Sequence, residues 1–437
     1  MPALSKIIEK IVHRQVSFFL NHNNLLNPKQ SGFRLAHSTT TALAQVTNDL
    51  YQNMDQGEVT CLTLLDFSKA FDLVNHTILI RKLQSLNFSN KALNFFKSYL
   101  SERQQSVSVD GVQSSWVPVS VGVPQGSILG PLLFSIFIND LPLSLDRCNY
   151  HLYADDLQIY LSGPVLATDE LISIVNEELQ KVWEWSNKNL LKLNPGKTQA
   201  MLIGTPQLLS KLPNVLPVVK LNGTEIKYST AVRNLGLQMD NVLKWDKHVS
   251  HVCSSVYLKL RNLQYHKNFL SKTMRKRLVQ SLVIPIMDYG DVIYSCVNSI
   301  NDSRIRKCYN SCVKFITGLR KFDHVTAAIR ETKLLSPEHR HELHVACLTH
   351  KVLCNGVPSY LRENISFLSE ANIRQTRNSS MLKIPVHRLE TFKCSFTYRS
   401  AVIWNQLPIN IRILDTHPVF SAKAHAYFES KHIDFFH

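Results

Sequence analysis

Three acidic side chains stand where acids are costly. The stretch "HLYADDLQIY", residues 151 to 160, sets Asp155 and Asp156 side by side within an apolar, aromatic run. The stretch "CLTLLDFSKAFD", residues 61 to 72, carries a second β-branched and apolar run straight into Asp66. Like charges leaving water together are unfavourable unless something positive neutralises them. A divalent cation does this, and Mg²⁺ takes carboxylate oxygens together with water and substrate phosphates. Two such ions about 3.5–4 Å apart would activate an attacking oxygen and steady a leaving one, the chemistry of phosphoryl transfer. Each acid also has a plainer explanation. A lone Asp-Asp suits a hairpin turn, and Asp66 suits a helix N-cap. The matched contexts, an apolar run ending in acid in both places, favour convergence on one site.

For the acids to meet, the intervening chain must bring two strands together. Residues 58 to 66 predict one strand, and two short strands flanking Asp155-Asp156 predict a hairpin. Asp110-Gly111 within "QQSVSVDGVQSSWVPVSV" signals a type I′ hairpin. Further strands are expected at 198–203, 217–221 and 232–239. Helical periodicity covers 4–22, with Leu4, Ile7, Ile8, Ile11, Val12, Phe18 and Phe19 on one side. Helices are also expected over 38–54, 75–86 and 90–100, after Gly126, and over 168–189. The last of these carries Leu171, Ile174, Val175, Leu179, Val182 and Trp183 on its apolar face. Beyond about residue 243 the pattern turns mainly helical, at 245–266, 271–285 and 302–318. The last helix is expected to be capped by Asp302 or Ser303 and stopped by Gly318. The first 240 residues therefore read as α+β, helices packed on an antiparallel sheet.

Five segments occur in a fixed order: "LLDFSKAFDLVNHTIL", "GVPQGSILGPLLFSIFINDLP", "HLYADDLQIY", "LNPGKTQAMLIG" and "VRNLGLQMD". Together they resemble palm motifs A to E of reverse transcriptases, and most closely those of non-long-terminal-repeat (LINE-type) retrotransposons of the jockey and chicken-repeat kind. The resemblance implies a right-hand polymerase. Residues 1–57 would be partial fingers, 58–240 the palm, 241–300 a thumb-like helical region and 301–437 a basic helical region. It implies catalysis by Asp66, Asp155 and Asp156 on two Mg²⁺ ions, with Mn²⁺ as a substitute, and a proton from Lys197 of "GKT" to departing pyrophosphate. Arg34 of "GFR" would hold triphosphate oxygens. Phe71 would lie under the sugar and exclude a 2′-hydroxyl, and Gln125 and Gly126 of "PQG" would meet the incoming nucleotide and template. Leu235-Gly236 would form the primer grip. The implied partners are an RNA template, a DNA primer and deoxyribonucleotides. Relatives carry an endonuclease domain and more finger sequence than this chain, so a truncated copy is expected.

Composition agrees with a nucleic-acid partner. The net charge is +16. Residues 1 to 240 hold 20 Lys+Arg and 19 Asp+Glu, whereas residues 241 to 437 hold 29 and 14. Such asymmetry suggests a polyanion, and Lys272, Arg275, Lys276 and Arg277 of "KTMRKR" are the best local candidates. A solvated helix face is the plainer reading of the same residues. No apolar run is long enough to span a membrane and no secretory signal is evident. Nine scattered cysteines do not look like a disulfide framework, so a reducing, intracellular setting is expected, nucleus or cytoplasm. Cys308, Cys312 and His324, and His339, His341 and His344, fit no zinc-site spacing. Two rival functions remain: a non-catalytic nucleic-acid-binding relic, and an RNA-copying RNA polymerase, against which Phe71 argues.

Overall fold

The computed structural model describes residues 3–294, 296–371 and 380–434. The chain divides into two compact units. The first contains residues 1–38, 60–202 and 211–229, and the second residues 39–59, 203–210 and 230–437.

In the first unit a four-stranded sheet runs in the order Asn149–Tyr153, Asp156–Gly163, Val59–Leu65, Gln199–Ile203. The first two strands pair antiparallel, with Tyr153 opposite Asp156, so Ala154-Asp155 is a two-residue turn. Ala154 takes φ +56°, as such tight turns demand of one or both central residues. The strand Val59–Leu65 is buried on both faces almost throughout, which explains its unbroken apolar run. The helix Leu129–Ile138 is apolar all round and buried all round apart from Pro131, as that composition requires. The helix Thr168–Lys188 buries Leu171, Ile172, Val175, Leu179, Val182 and Trp185. Ile172 and Trp185 thus take the places expected of Ile174 and Trp183, which are half-buried. The face is rotated because Glu178 is also fully buried, accepting the backbone N–H groups of Asp146 and Arg147 at 2.8 and 3.2 Å.

A similar correction applies to the helix Ala3–His22. Its expected apolar face is largely in solvent: Leu4, Ile7, Ile8, Ile11 and Phe18 are exposed. The buried positions are Glu9, Val16 and Leu20. Glu9 fixes this rotation, since its Oε2 accepts the backbone N–H of Ile128 at 2.6 Å and of Leu129 at 3.2 Å. It thereby satisfies orphan donors at the start of the Leu129–Ile138 helix.

In the second unit the expected strand 232–239 is two strands. Ala231–Asn234 and Leu237–Asp240 pair antiparallel around Leu235-Gly236. The expected helix 271–285 is also broken. An α-helix Lys272–Leu278 passes into a π turn over Val279–Val283 and then Ile284–Asp288. Pro285 accounts for the break, having no N–H for the helical ladder. The helix Ser299–Thr317 starts earlier than expected, because Asn298 and not Asp302 or Ser303 accepts the capping N–H, from Asn301. Gly318 ends it at φ +85° as expected. Trp245 is fully buried and donates from Nε1 to the Tyr51 hydroxyl at 3.4 Å. Cys296 and Cys394 form a disulfide, one crosslink among nine cysteines, and the other seven are free. Among the described residues no helix is long and apolar enough to cross a membrane.

One core histidine yields a pH prediction. His151 is fully buried, hydrogen-bonded through Nε2 to Ser31 Oγ at 2.8 Å, and burial pushes its pKa down to about 3. It is neutral when folded, whereas the unfolded ring takes a proton near 6.5. Stability from this group is therefore complete above about pH 6.5 and is lost as pH falls from there toward 3, by up to a few kcal/mol. His151→Gln should flatten this part of the stability profile, read by urea unfolding at pH 7 and pH 5. An unchanged acid slope would contradict it.

Candidate active site

The three acids converge within the first unit. Asp66 leaves the strand Val59–Leu65, which lies next to the strand that begins at Asp156. Burial raises the pKa of Asp155, and the negative charge of Asp66 raises it further. Burial pushes Asp156 up to about 6, with the charges of Asp155 and Asp66 adding to the rise. These are the signatures of a carboxylate group short of positive charge. Asp66 Oδ2 is shielded from solvent and accepts no hydrogen bond. Its nearest cation is Lys197, whose Nζ lies 3.4 Å away. A metal ion suits this donor set, which is all carboxylate, partly buried and incompletely neutralised.

Local backbone pairing delivers each neighbour. The Asn194 N–H donates to the Asp66 carbonyl at 2.9 Å, the Ser68 N–H donates to the Lys192 carbonyl at 2.8 Å, and Phe67 bridges Leu193. That short ladder carries the "LNPGK" loop to Asp66 and so brings Lys197 into the site. Phe71 sits in the 3₁₀ turn Ala70–Leu73 and is half-buried. Its ring stacks on Phe134 at 4.3 Å between centroids and meets the edge of Phe33 at 5.9 Å. It is both a packed aromatic and a partly exposed one. The "PQG" loop is docked on the same turn by the N–H groups of Val123 and Gly122, which donate to the carbonyls of Phe71 and Val74 at 2.9 and 2.8 Å. Gln125 Nε2 donates to Asp72 Oδ1 at 2.8 Å. Gly126 has φ +78°, and no atom lies within 4 Å of where a Cβ would be. Its glycine is required by backbone conformation and not by close approach.

The sequence reading did not single out the residues that hold the Asp155–Asp156 turn. The Ser31 N–H donates to the Leu152 carbonyl at 2.8 Å, and the Leu152 N–H to the Lys29 carbonyl at 3.0 Å. Gln30, fully buried, acts as a clamp. Its Oε1 accepts the N–H groups of Gly32 and Ala154 at 2.8 and 3.1 Å, and its Nε2 donates to the Ala154 carbonyl at 3.3 Å. Gly32 lies so close that a Cβ there would stand 2.3 Å from the Ala154 nitrogen. The signal in the sequence was the "QSGFR" string itself. Arg34 belongs to this loop: its Nη1 donates to the carbonyls of Asn27 and Gln30 at 2.7 and 3.1 Å.

In the second unit Leu235 and Gly236 both have positive φ, +41° and +90°. The Tyr289 hydroxyl donates to the Leu235 carbonyl at 2.8 Å, and its ring fills the space beside Gly236. Tyr289 is a second residue the sequence reading missed. Two of the four cations in "KTMRKR" are occupied: Lys272 pairs with Glu331, and Arg275 Nη1 donates to the Phe315 carbonyl at 3.1 Å. Asp288, Asp291 and His344 form a further cluster, with ligand atoms within 4.8 Å of one another. Arg340 already clamps both oxygens of Asp288, and His344 Nδ1 lies 2.6 Å from Asp291 Oδ2. Counter-charge is therefore present there, in contrast to the triad.

An α+β unit that gathers three carboxylates at a hairpin turn and an adjacent strand end has the arrangement of a polymerase palm. A family model described as reverse transcriptase (RNA-dependent DNA polymerase) matches residues 1–239, and the chain belongs to that family. It is 29% identical over 329 residues to the RNA-directed DNA polymerase from mobile element jockey of Drosophila melanogaster, covering 73% of this chain and 35% of that protein. It is 28% identical to the probable RNA-directed DNA polymerase from transposon BS of the same species, covering 79% of this chain and 38% of the relative. A probable RNA-directed DNA polymerase from transposon X-element, also of Drosophila melanogaster, is 24% identical over 76% of this chain and 37% of its own length. The chain thus spans little more than a third of these relatives. They agree with the LINE-type resemblance carried by the five motifs.

Two outcomes test the site's construction. Gln30→Ala strips two buried N–H groups and one carbonyl of their partner, at a cost of about 1–3 kcal/mol for each group left unsatisfied. Its melting temperature should fall clearly below that of the wild type, and an unchanged value would remove Gln30 from this role. Asp156→Asn relieves like-charge crowding. Without divalent metal at pH 7.5 it should melt above the wild type, and millimolar Mg²⁺ should raise only the wild-type value.

Proposed function

We propose that this chain is an RNA-directed DNA polymerase of a LINE-type retrotransposon. The observation that carries the reading is the mutual charge of Asp66, Asp155 and Asp156 with no cation equal to it. The 3′-oxygen of a primer forms a bond to the α-phosphorus of a deoxyribonucleoside triphosphate, the bond to the β-phosphate bridge breaks, and pyrophosphate leaves. Asp66, Asp155 and Asp156 hold the divalent ions, two Mg²⁺ or Mn²⁺ in their place, which on binding supply Lewis-acid activation and charge neutralisation. The protein adds positioning and electrostatics and forms no covalent intermediate.

The resemblance assigns the remaining roles, and the surroundings of the side chains support them. Lys197, held at Asp66 with Nζ partly exposed, donates a proton toward the departing pyrophosphate. Phe71 is fixed by Phe134 and Phe33, so it cannot swing away from a 2′-hydroxyl, and this selects deoxyribonucleotides. Gln125, steadied by Asp72, contacts the incoming nucleotide and the template base. Gly126 presents open backbone beside them. Arg34 offers its guanidinium to triphosphate oxygens from the same loop that clamps the catalytic turn. Leu235-Gly236, set by Tyr289, forms the primer grip. The RNA template and DNA primer are the macromolecular substrates. The basic region beyond residue 240, including Lys276 and Arg277, binds their backbones without reading sequence.

Primer extension on an RNA template with Mg²⁺ and the four deoxyribonucleotides tests this directly. Asp155→Asn or Asp66→Asn should lower the rate by at least about a thousandfold, the scale on which charge-stabilising groups act. Phe71→Ala should leave extension intact and admit ribonucleotides. Template binding by the wild type without extension would identify a non-catalytic relic instead. Equal use of ribonucleotides by the wild type would identify an RNA polymerase.

A further inference from the structure

Within the basic region assigned above to nucleic-acid backbones, the second unit contains a groove whose lining has a character of its own. It is open, about 580 Å³ in volume, and runs between the helices Asp246–Gln264 and Ser299–Thr317 and the turn that follows. Five cations line it: Arg261, Lys267, Lys307, Lys314 and Lys321. No acidic residue does. No Asp or Glu occurs anywhere between Asp246 and Asp288, nor from Ser303 to Phe322. Among the described residues none of the five cations is ion-paired. Elsewhere in this unit cations find acids: Arg306 meets Glu338, Arg340 meets Asp288, and Arg362 meets Glu370. A merely solvated basic face would intersperse both signs, as those surfaces do. This groove concentrates one sign, which focuses potential on an anion.

The shape of the charge argues for a strand and not a small anion. Lys307 and Lys314 are seven residues apart on one helix, about two turns or roughly 10 Å. The two helices run side by side in the same direction, with Asn301 bonded to Asp246 and Arg304 to Ser250, so Lys267 and Lys321 carry the line of cations past their shared C-terminal end. The walls also carry exposed aromatics. Tyr257 is 45% exposed and Phe322 is 88% exposed, with Lys321 Nζ 5.4 Å from the centre of the Phe322 ring. Aromatic faces beside a cationic track are the means by which proteins hold unpaired bases. A duplex keeps its bases stacked on one another and offers such rings nothing. We propose that this groove binds single-stranded nucleic acid, with its phosphates on Arg261, Lys267, Lys307 and Lys321 and a base on Phe322, Lys314 Nζ being engaged by the Lys321 carbonyl. The groove belongs to the second unit and the carboxylates to the first, and its occupancy does not depend on polymerase chemistry.

The test uses the full chain and fluorescence anisotropy with labelled fifteen-residue probes: oligo(rU), oligo(dT) and a blunt DNA duplex. The triple variant K267Q/K307Q/K321Q removes three charges that make no ion pairs. It should bind single strands at least about tenfold more weakly, with a salt slope shallower by about 2, the value expected for three lost phosphate contacts on a single strand. Phe322→Ala should weaken single-strand binding by roughly tenfold and leave the slope unchanged. Duplex binding should be nearly the same in all three proteins. The two single-stranded probes tell an RNA occupant from a DNA one. Asp155→Asn should bind like the wild type, so loss of extension and loss of groove binding are separate results. Wild-type affinity in the triple variant at unchanged melting temperature would overturn the proposal. An equal loss for the duplex would overturn its restriction to single strands.

Discussion

Three negative charges that share one small, partly dehydrated space govern the rest of the first unit. Burial and the charge of Asp66 raise the proton affinity of Asp155 and of Asp156, the charge of Asp155 adds to the rise at Asp156, and the cation beside the three is Lys197, at Asp66. Such an arrangement survives in a fold only when the backbone around it is over-determined. The surrounding contacts have that character. The turn is held by hydrogen bonds from the 29–32 loop, Asp66 by the 192–194 ladder, and the loop after Val121 by Phe71 and Val74. The 192–194 ladder and the loop after Val121 belong to two of the five recognised segments, whereas the 29–32 loop lies outside all five.

The grouping of the three acids was legible because acids in apolar runs are rare and their contexts matched. The order of five segments then fixed the class. Most helices were equally plain, since their 3.6-residue periodicity is long and the caps are conventional. The misreadings have a common physical cause. Glu9 and Glu178 are buried charges serving backbone N–H groups at a distance in sequence. Each rotates its helix away from the orientation that hydrophobicity alone would choose. A local pattern cannot register a partner more than a hundred residues away, as for Glu9 and Ile128.

The same limit hid Gln30 and Tyr289. Each is a polar residue whose role exists only in three dimensions, bridging backbone groups of a distant turn. Leu235-Gly236 was assigned to the primer grip by resemblance, yet the strand pattern across it ran on unbroken. Only the paired positive φ values separate the two strands. The basic second half was visible as a sum of charges. Its division into paired cations and an unpaired, aromatic-edged groove was not, because pairing depends on which acids the fold brings near.

The contact between Gly32 and Ala154 bears on how copies of a mobile sequence decay. A single base change that puts any side chain at position 32 drives it into the backbone of the turn. The three acids would still be spelled out in such a copy. A census of competent copies that counts intact acidic triplets alone would therefore overestimate them, and the glycine belongs in the same inventory.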